Sequence, residues 1–127
     1  MNAQKKRILV VDDETSITRM LKLNLEQTNE YEVMVENSPV HAYMTALAFH
    51  PDLILLDILM PGKDGGQLAS DFQESPKFKN VPILFLTAAA TKKEVSTGHG
   101  LIGGLPFLAK PVDFPEVVAC IKRLIPS

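Results

Sequence analysis

The sequence has little cysteine, little clustered positive charge and no long apolar run. Its 127 residues include one cysteine, Cys120, which excludes an intramolecular disulfide framework and suits a reducing compartment. The formal net charge is -2, and no basic stripe extends beyond the short Lys5-Lys6-Arg7, which argues against direct contact with nucleic acid. No apolar run approaches the roughly 20 residues of a membrane-spanning helix.

These shortages leave an ordinary soluble protein as the simplest interpretation. No signal peptide is visible at the N-terminus, so we expect a cytoplasmic protein that does not insert into membranes. A length of 127 residues fits a single domain over residues 1–127 with one hydrophobic core.

Short apolar runs alternate with helical patterns along the chain. The predicted strands cover residues 7–11, 31–36, 53–57, 81–86 and 106–109. The predicted helices cover residues 16–27, 39–50, 66–73 and 91–99, followed by a last helix near the C-terminus. Ser38 is predicted to cap the second of these helices and Asp113 the last. Such alternation predicts an α/β fold, a parallel sheet of five strands with five helices on its two faces. The alternating pattern of residues 31–36 is typical of an edge strand.

Polar residues follow the predicted strands where the carboxyl ends of neighbouring strands meet. Asp12 and Asp13 follow the first strand, Asp57 ends the third, Thr87 follows the fourth and Lys110 follows the fifth. Ligands of open parallel sheets bind at this edge. A carboxylate is costly to bury without a partner, so we expect that Asp57 is not fully buried and caps its strand at a charged crevice.

The three acids repel one another, and a divalent cation such as Mg²⁺, which prefers oxygen ligands, relieves that repulsion. Lys110 adds a positive charge to the same site, and an ammonium beside a metal can neutralise phosphoryl oxygens. Asp57 is the natural nucleophile, since a carboxylate can form an aspartyl phosphate. Taken alone, Asp12 and Asp13 would indicate only a helix start, and Lys110 a solvated loop residue.

Four motifs make the chain resemble the receiver domain of two-component response regulators, a group that includes chemotaxis regulators. They are VVDDE at the first strand, DILMPGKDG around Asp57, LTA at Thr87 and FLAKP at Lys110. Their order and spacing match the family over essentially the whole chain. The resemblance implies a flavodoxin-like, doubly wound fold with the strand order 2-1-3-4-5.

The resemblance also implies a phosphoacceptor site. Asp57 would take a phosphoryl group from a phosphohistidine of a sensor histidine kinase or a histidine phosphotransfer protein. Asp12 and Asp13, with Asp57 and the backbone carbonyl of Leu59, would hold Mg²⁺ or Mn²⁺. Such a domain is not an enzyme for a separate substrate, because it catalyses only its own phosphorylation and dephosphorylation.

The resemblance further implies a switch. Lys110 would contact the phosphoryl oxygens, Thr87 would hydrogen-bond the phosphoryl group, and Phe107 would follow inward as the aromatic switch residue. By default Phe107 is a core aromatic, so its switch role depends on its position in the family. The change would reach the surface of the fourth helix, fifth strand and fifth helix, where a downstream protein partner or a fused output domain would bind.

Two departures from the family pattern change the expected behaviour. Leu59 and Ala89 stand two residues after Asp57 and Thr87, and neither side chain can hold the water that hydrolyses the phosphoryl group. We therefore expect slow self-dephosphorylation. The glycines between positions 98 and 104 disfavour a helix, so we expect a short or mobile fourth helix.

Other functions fit the sequence less well. A nucleotide-binding domain needs glycines after its first strand, where this chain has Asp12-Asp13-Glu14. A phosphatase or mutase with an aspartyl-phosphate intermediate needs a second acid where Leu59 stands. A phosphorylation-independent, receiver-like docking module is the alternative that stays open. The sequence equally leaves open a complete single-domain regulator or part of a larger regulator or hybrid kinase.

Overall fold

The computed structural model describes residues 4–60, 64–88, 101–102 and 104–126. The predicted helix over 91–99 and Ala89 lie outside these residues. The strands of the described part are β1 (Lys6–Val11), β2 (Tyr31–Glu36), β3 (Leu53–Asp57), β4 (Ile83–Thr87), β5 (Leu101–Ile102) and β6 (Leu105–Ala109). Its α-helices are α1 (Thr15–Gln27), α2 (Ala42–Phe49), α3 (Gly65–Glu74) and α4 (Phe114–Leu124), and a 3₁₀ turn spans Pro39–His41.

The strands form one sheet in the order β2-β1-β3-β4-β6-β5. The first five of these pair in parallel, which confirms the predicted fold class and the order 2-1-3-4-5. The two-residue strand β5, antiparallel to β6, was not predicted. Four α-helices lie in the described part of the chain where five were expected for the whole of it.

Two apolar clusters cover the two faces of the sheet. The first packs α2 and α3 against one face, and the second packs α1 and α4 against the other. Strand β3 is buried along its whole length, with Ile54 and Leu56 in the first cluster and Leu53 and Leu55 in the second. Burial on both faces explains why this strand is a continuous apolar run rather than an alternating one.

Strand β2 has the predicted character of an edge strand. Tyr31 and Val33 are buried, whereas Glu32 and Met34 are exposed. This alternation covers one face of the strand with α1 and leaves part of the other in water. No helix in the described part of the chain is long and apolar enough to cross a membrane.

One predicted helix start is wrong, and a second is in place but lacks its predicted side-chain cap. The segment after Ser38 begins as a 3₁₀ turn, and α2 starts at Ala42. Ser38 makes no side-chain cap; its backbone N–H donates to Glu36 Oε2 at 3.0 Å. Asp113 does occupy the N-cap position of α4, but its side chain accepts no capping hydrogen bond. Asp64, in contrast, caps α3 by accepting from the Gly66 N–H at 2.8 Å.

Gly65 brings the start of α3 against the backbone at the end of β3. Its N–H donates to Ile58 O at 2.9 Å. A Cβ built on Gly65 would lie 2.3 Å from Asp57 O and 2.6 Å from Ile58 Cα. Since both are backbone atoms that cannot move aside alone, only glycine fits at this position.

We expect Gly65→Ala to lower the free energy of unfolding by about 1–3 kcal/mol, the usual cost of forcing extra atoms into a packed site. Urea denaturation measures it. Gly66→Ala is the matched control, because its new Cβ would meet only the Asp64 side chain, at 3.4 Å. Equal free energies of unfolding for the two variants would show that α3 can move away from β3 without loss of stability.

Candidate functional site

Three carboxylates meet at the carboxyl ends of β1 and β3. These strands are parallel neighbours, with Val11 paired to Leu56, so the residues that follow them lie side by side. One oxygen each from Asp12, Asp13 and Asp57 lies within 4.8 Å of the others. Asp12 is fully buried and Asp57 is 3% exposed, whereas Asp13 is more accessible. The predicted convergence of these acids is therefore present.

Asp57 is more deeply buried than the sequence indicated. We expected a carboxylate that is not fully buried, and the structure leaves 3% of the residue exposed. The pKa of Asp57 is raised from its ordinary 3.8 to about 6, mainly by burial and next by the charge of Asp12. Lys110 and the Leu59 N–H have the opposite effect and lower it. That N–H lies 3.3 Å from Asp57 Oδ1.

Lys110 crosses the site from the end of β6. Its side chain is 8% exposed, and its Nζ lies 2.9 Å from Asp12 Oδ2 and 3.5 Å from Asp57 Oδ2. Burial lowers the pKa of Lys110, but contacts with the carboxylates of Glu14, Asp12 and Asp57 outweigh that effect and raise it. The ammonium is thus charged at neutral pH, and the alternative of a solvated loop lysine is wrong.

The strand ends beside Lys110 are joined through the backbone. Lys110 N–H donates to Thr87 O at 2.9 Å, and the Lys110–Pro111 peptide bond is cis. Thr87 is fully buried at the end of β4 and pairs with Ala109 of β6. The hydroxyl-bearing residue and the ammonium-bearing residue therefore come from adjacent strands, as predicted.

Phe107 and Leu59 occupy contrasting environments. Phe107 is 7% exposed, pairs with Phe85 across β4 and β6, and belongs to the first apolar cluster. Its ring is therefore already part of the core. The Leu59 side chain is 61% exposed beside Asp57. The metal-ligand role of the Leu59 carbonyl and the switch role of Phe107 stay predictions.

Glu14 is a further residue of the site, and the sequence pattern did not reveal it. Its Oε1 lies 2.8 Å from Lys110 Nζ, and its side chain is 54% exposed. The available signal was its position directly after the acid pair in the VVDDE motif. A contact between residues 14 and 110 cannot be read from local pattern, because it depends on where the Lys110 side chain turns.

Asn37 is a second residue that the sequence did not reveal. Its Nδ2 donates to the backbone carbonyl of Asp12 at 2.8 Å and to Thr18 Oγ1 at 2.9 Å. The Glu14 N–H in turn donates to Asp12 Oδ1 at 2.9 Å. These bonds hold the backbone of Asp12 and one of its oxygens in place.

The donor set suits a small divalent cation. Three carboxylates and one ammonium leave an excess of negative charge, and all candidate ligand atoms are oxygens, as Mg²⁺ prefers. Asp12 Oδ2 is buried and accepts no hydrogen bond of good geometry from the described residues, although the Lys110 ammonium lies 2.9 Å away. The residues therefore fit a hard cation.

Comparison with known proteins agrees with the family resemblance of the four sequence motifs. Residues 8–122 match the family described as the response regulator receiver domain. The transcriptional regulatory protein ResD of Bacillus subtilis is 37% identical over 120 residues, which cover 94% of this chain and 48% of ResD. The chain spans about half the length of the curated relatives it matches.

Solved structures share the fold over nearly the full chain. One from Chloroflexus aurantiacus, described as a response regulator, is 32% identical with a TM-score of 0.82, covering 95% of this chain and 98% of the other. The chemotaxis protein CheY4 of Vibrio cholerae is 26% identical with a TM-score of 0.82, covering 96% of this chain and 100% of its own.

Proposed function

Since this chain belongs to the response regulator receiver domain family, we propose that Asp57 accepts a phosphoryl group from a phosphohistidine of a sensor histidine kinase or a histidine phosphotransfer protein. Receiver domains are signalling modules of two-component systems. The chain would catalyse only its own phosphorylation and dephosphorylation. The observation that carries the proposal is the meeting of Asp57, two further acids and the Lys110 ammonium at one edge of the sheet.

The chemistry is a transfer between two nucleophiles. An oxygen of Asp57 forms a bond to phosphorus, the phosphorus–nitrogen bond of the phosphohistidine breaks, and its electron pair stays on the imidazole. The Lys110 ammonium neutralises charge on the phosphoryl oxygens during this step. Its raised pKa keeps it protonated for that role at neutral pH.

Asp12, Asp13 and Asp57, with the backbone carbonyl of Leu59, would hold Mg²⁺ or Mn²⁺. When bound, the cation would supply positive charge for the carboxylates and for the phosphoryl oxygens. The clustering of the three acids within 4.8 Å supports this assignment. Asn37 and the Glu14 N–H would position Asp12 for it through the bonds described above.

The response to phosphorylation would pass through Thr87 and Phe107. A phosphoryl group adds roughly -1.5 to -2 charge and strong acceptor oxygens, which the Thr87 hydroxyl would approach. Movement at Thr87 would reach β6 because Thr87 pairs with Ala109 and accepts from Lys110, and Phe107 lies on that strand. The resulting change would alter the surface of β6, α4 and the predicted helix over 91–99.

The partners follow from the same family. We propose a cytoplasmic phosphodonor protein and, downstream, either a separate protein partner or a fused output domain. The second option is supported by the length of the curated relatives, of which this chain covers about half. The domain itself would make no direct contact with nucleic acid, in keeping with its net charge of -2.

Intact-mass measurement tests the proposed function. The protein is incubated with acetyl phosphate and Mg²⁺, with EDTA in a parallel sample. We expect a gain of one phosphoryl group in the Mg²⁺ sample alone. No gain, under conditions that label a known receiver domain, would favour the docking-module alternative and reject the phosphoacceptor function.

Leu59→Asn is expected to shorten the lifetime of the phosphoryl group about fivefold. An amide beside Asp57 can hydrogen-bond the attacking water, and one such bond is worth about 1 kcal/mol. The decay of the phosphorylated mass after removal of the donor measures it. Leu23→Asn is the control, because Leu23 is 57% exposed on α1. Equal decay in the Leu59 variant and the wild type would show that this position does not limit hydrolysis.

A further inference from the structure

Glu14 makes the shortest of the contacts with the Lys110 ammonium, although the proposed chemistry gives its side chain no role. Its Oε1 lies 2.8 Å from Lys110 Nζ, compared with 2.9 Å for Asp12 Oδ2 and 3.5 Å for Asp57 Oδ2. The Lys110 ammonium, which would neutralise the phosphoryl oxygens, therefore lies closest to the Glu14 carboxylate. Glu14 neither accepts the phosphoryl group nor belongs to the cluster of Asp12, Asp13 and Asp57.

The local fold does not need the Glu14 carboxylate. Glu14 is the N-cap residue of α1, yet its side chain makes no capping hydrogen bond. Its backbone carbonyl accepts from the N–H groups of Ile17 and Thr18 at 3.1 and 3.2 Å. The backbone is thus fixed, while the side chain is 54% exposed and can leave Lys110 for water at little cost.

A phosphoryl group on Asp57 would give the Lys110 ammonium new hydrogen-bond acceptors. The lysine ammonium has three N–H donors, and in this structure its two shortest contacts go to Asp12 and Glu14. A phosphoryl group brings roughly -1.5 to -2 charge and several acceptor oxygens to Asp57. If Lys110 keeps both Asp12 and Glu14, only its third donor is left for those oxygens. A second hydrogen bond to the phosphoryl group therefore requires Lys110 to give up its contact with Glu14.

We propose that Glu14 is a competing counterion, which holds Lys110 while Asp57 is unmodified and lowers the affinity of the site for a phosphoryl group. This inference rests on the proposed phosphoacceptor function. Glu14 acts through Lys110 and is a positioning residue rather than a catalytic one. It would set how readily the site is occupied, without taking part in bond formation.

The test compares the wild type with Glu14→Gln, which keeps an acceptor oxygen and removes the charge. Glu30→Gln is the matched control, because Glu30 is a half-exposed glutamate paired with Lys122 at 3.5 Å. It lies at the opposite end of the sheet, where its carbonyl accepts from Lys6 at the start of β1. Calorimetry measures the affinity of each protein for Mg²⁺ alone, and then for beryllofluoride, an analogue of the phosphoryl group, at saturating Mg²⁺.

We expect Glu14→Gln to bind beryllofluoride about two- to fivefold more tightly than the wild type, the range for loss of a partly exposed ion pair. Its Mg²⁺ affinity should be unchanged or lower, because a nearby negative charge is gone. The difference in beryllofluoride affinity should shrink as KCl is raised, because salt screens exposed charges. Glu30→Gln should match the wild type in both affinities.

Three outcomes would overturn the inference. Unchanged or weaker beryllofluoride binding by Glu14→Gln, with normal binding by the wild type, rejects the competing counterion and leaves the proposed function intact. Weaker binding of both ligands indicates that Glu14 merely supports the site structurally. Absence of beryllofluoride binding in the wild type rejects the proposed function, and the inference with it.

Discussion

Asp57→Asn is expected to abolish phosphoryl incorporation and, in Mg²⁺-free buffer at pH 8, to make the protein more stable than the wild type. The first effect follows from removal of the acceptor oxygen, since an amide is a poor nucleophile. The second follows from burial of Asp57 beside Asp12, which raises the pKa of Asp57 from 3.8 to about 6. The wild type holds an unfavourable buried charge above that pH, and the variant does not.

The sign of the pH dependence follows from proton binding. Between about pH 4 and pH 6 the native protein keeps the Asp57 proton more firmly than the unfolded chain, so the wild type loses stability as pH rises through this window. A difference of roughly two pKa units corresponds to at most about 3 kcal/mol, and relaxation or water entry reduces it. The asparagine variant lacks this titration.

Urea denaturation in EDTA at pH 4, 6 and 8 measures the effect. The stability advantage of Asp57→Asn over the wild type should grow across the series, and Mg²⁺ should diminish it at pH 8 by binding the wild-type cluster. Asp113→Asn is the control, since Asp113 is exposed and makes no side-chain cap. A variant no more stable than the wild type at pH 8 would show that the Asp57 charge is well compensated in the native state.

Lys110→Met is expected to have the opposite effect on stability. The side chain of Lys110 is 8% exposed, and its ammonium lies 2.9 Å from the buried carboxylate of Asp12. Its removal leaves Asp12 and Asp57 without their cation. Breaking a buried ion pair from one side typically costs about 3–5 kcal/mol. We expect a loss of this order at pH 8 without divalent cations, together with loss of phosphoryl incorporation.

Denaturation of Lys110→Met at pH 5 and pH 8, with and without Mg²⁺, tests the cause. The destabilisation should be smaller at pH 5, where Asp57, whose pKa is raised to about 6, takes up a proton. It should also be smaller with Mg²⁺, which supplies a replacement cation. Lys122→Met is the control, because Lys122 is half exposed and pairs with Glu30 at 3.5 Å; exposed pairs contribute about 1 kcal/mol or less. Equal losses in the two variants would show that the contact with Asp12 does not stabilise the fold.

Much of the fold could be predicted because it depends on local patterns. A parallel strand covered by helices on both faces must be apolar along its length, which is why residues 53–56 indicated β3 directly. The apolar and polar alternation of residues 31–36 indicated an edge strand, because such a strand packs one face on the core and leaves part of the other in water. With the strands assigned, the meeting of their carboxyl ends placed Asp12, Asp57 and Lys110 at one edge.

Details that depend on competing hydrogen bonds were less predictable. The Ser38 side chain was expected to cap a helix, but the Ser38 N–H bonds the Glu36 carboxylate, and the chain enters a 3₁₀ turn before α2. The short strand β5 has two residues, too few for a periodic pattern. These features depend on which of several nearby hydrogen-bond partners a backbone or side-chain group binds.

The sequence by itself determined the fold class, because the hydrophobic period assigns the strands and helices, and it predicted the strand order through the four motifs that resemble the receiver family. The common direction of the strands then placed the polar residues of the candidate site at one edge of the sheet. Only the tertiary structure decided that Asp57 is almost fully buried, that Gly65 must lack a side chain against its backbone, and that Glu14 shares Lys110 with Asp12. Burial and side-chain contact depend on groups distant in the chain. The pKa of Asp57 and the disposition of Lys110 therefore arise from packing, which no single segment of the sequence encodes.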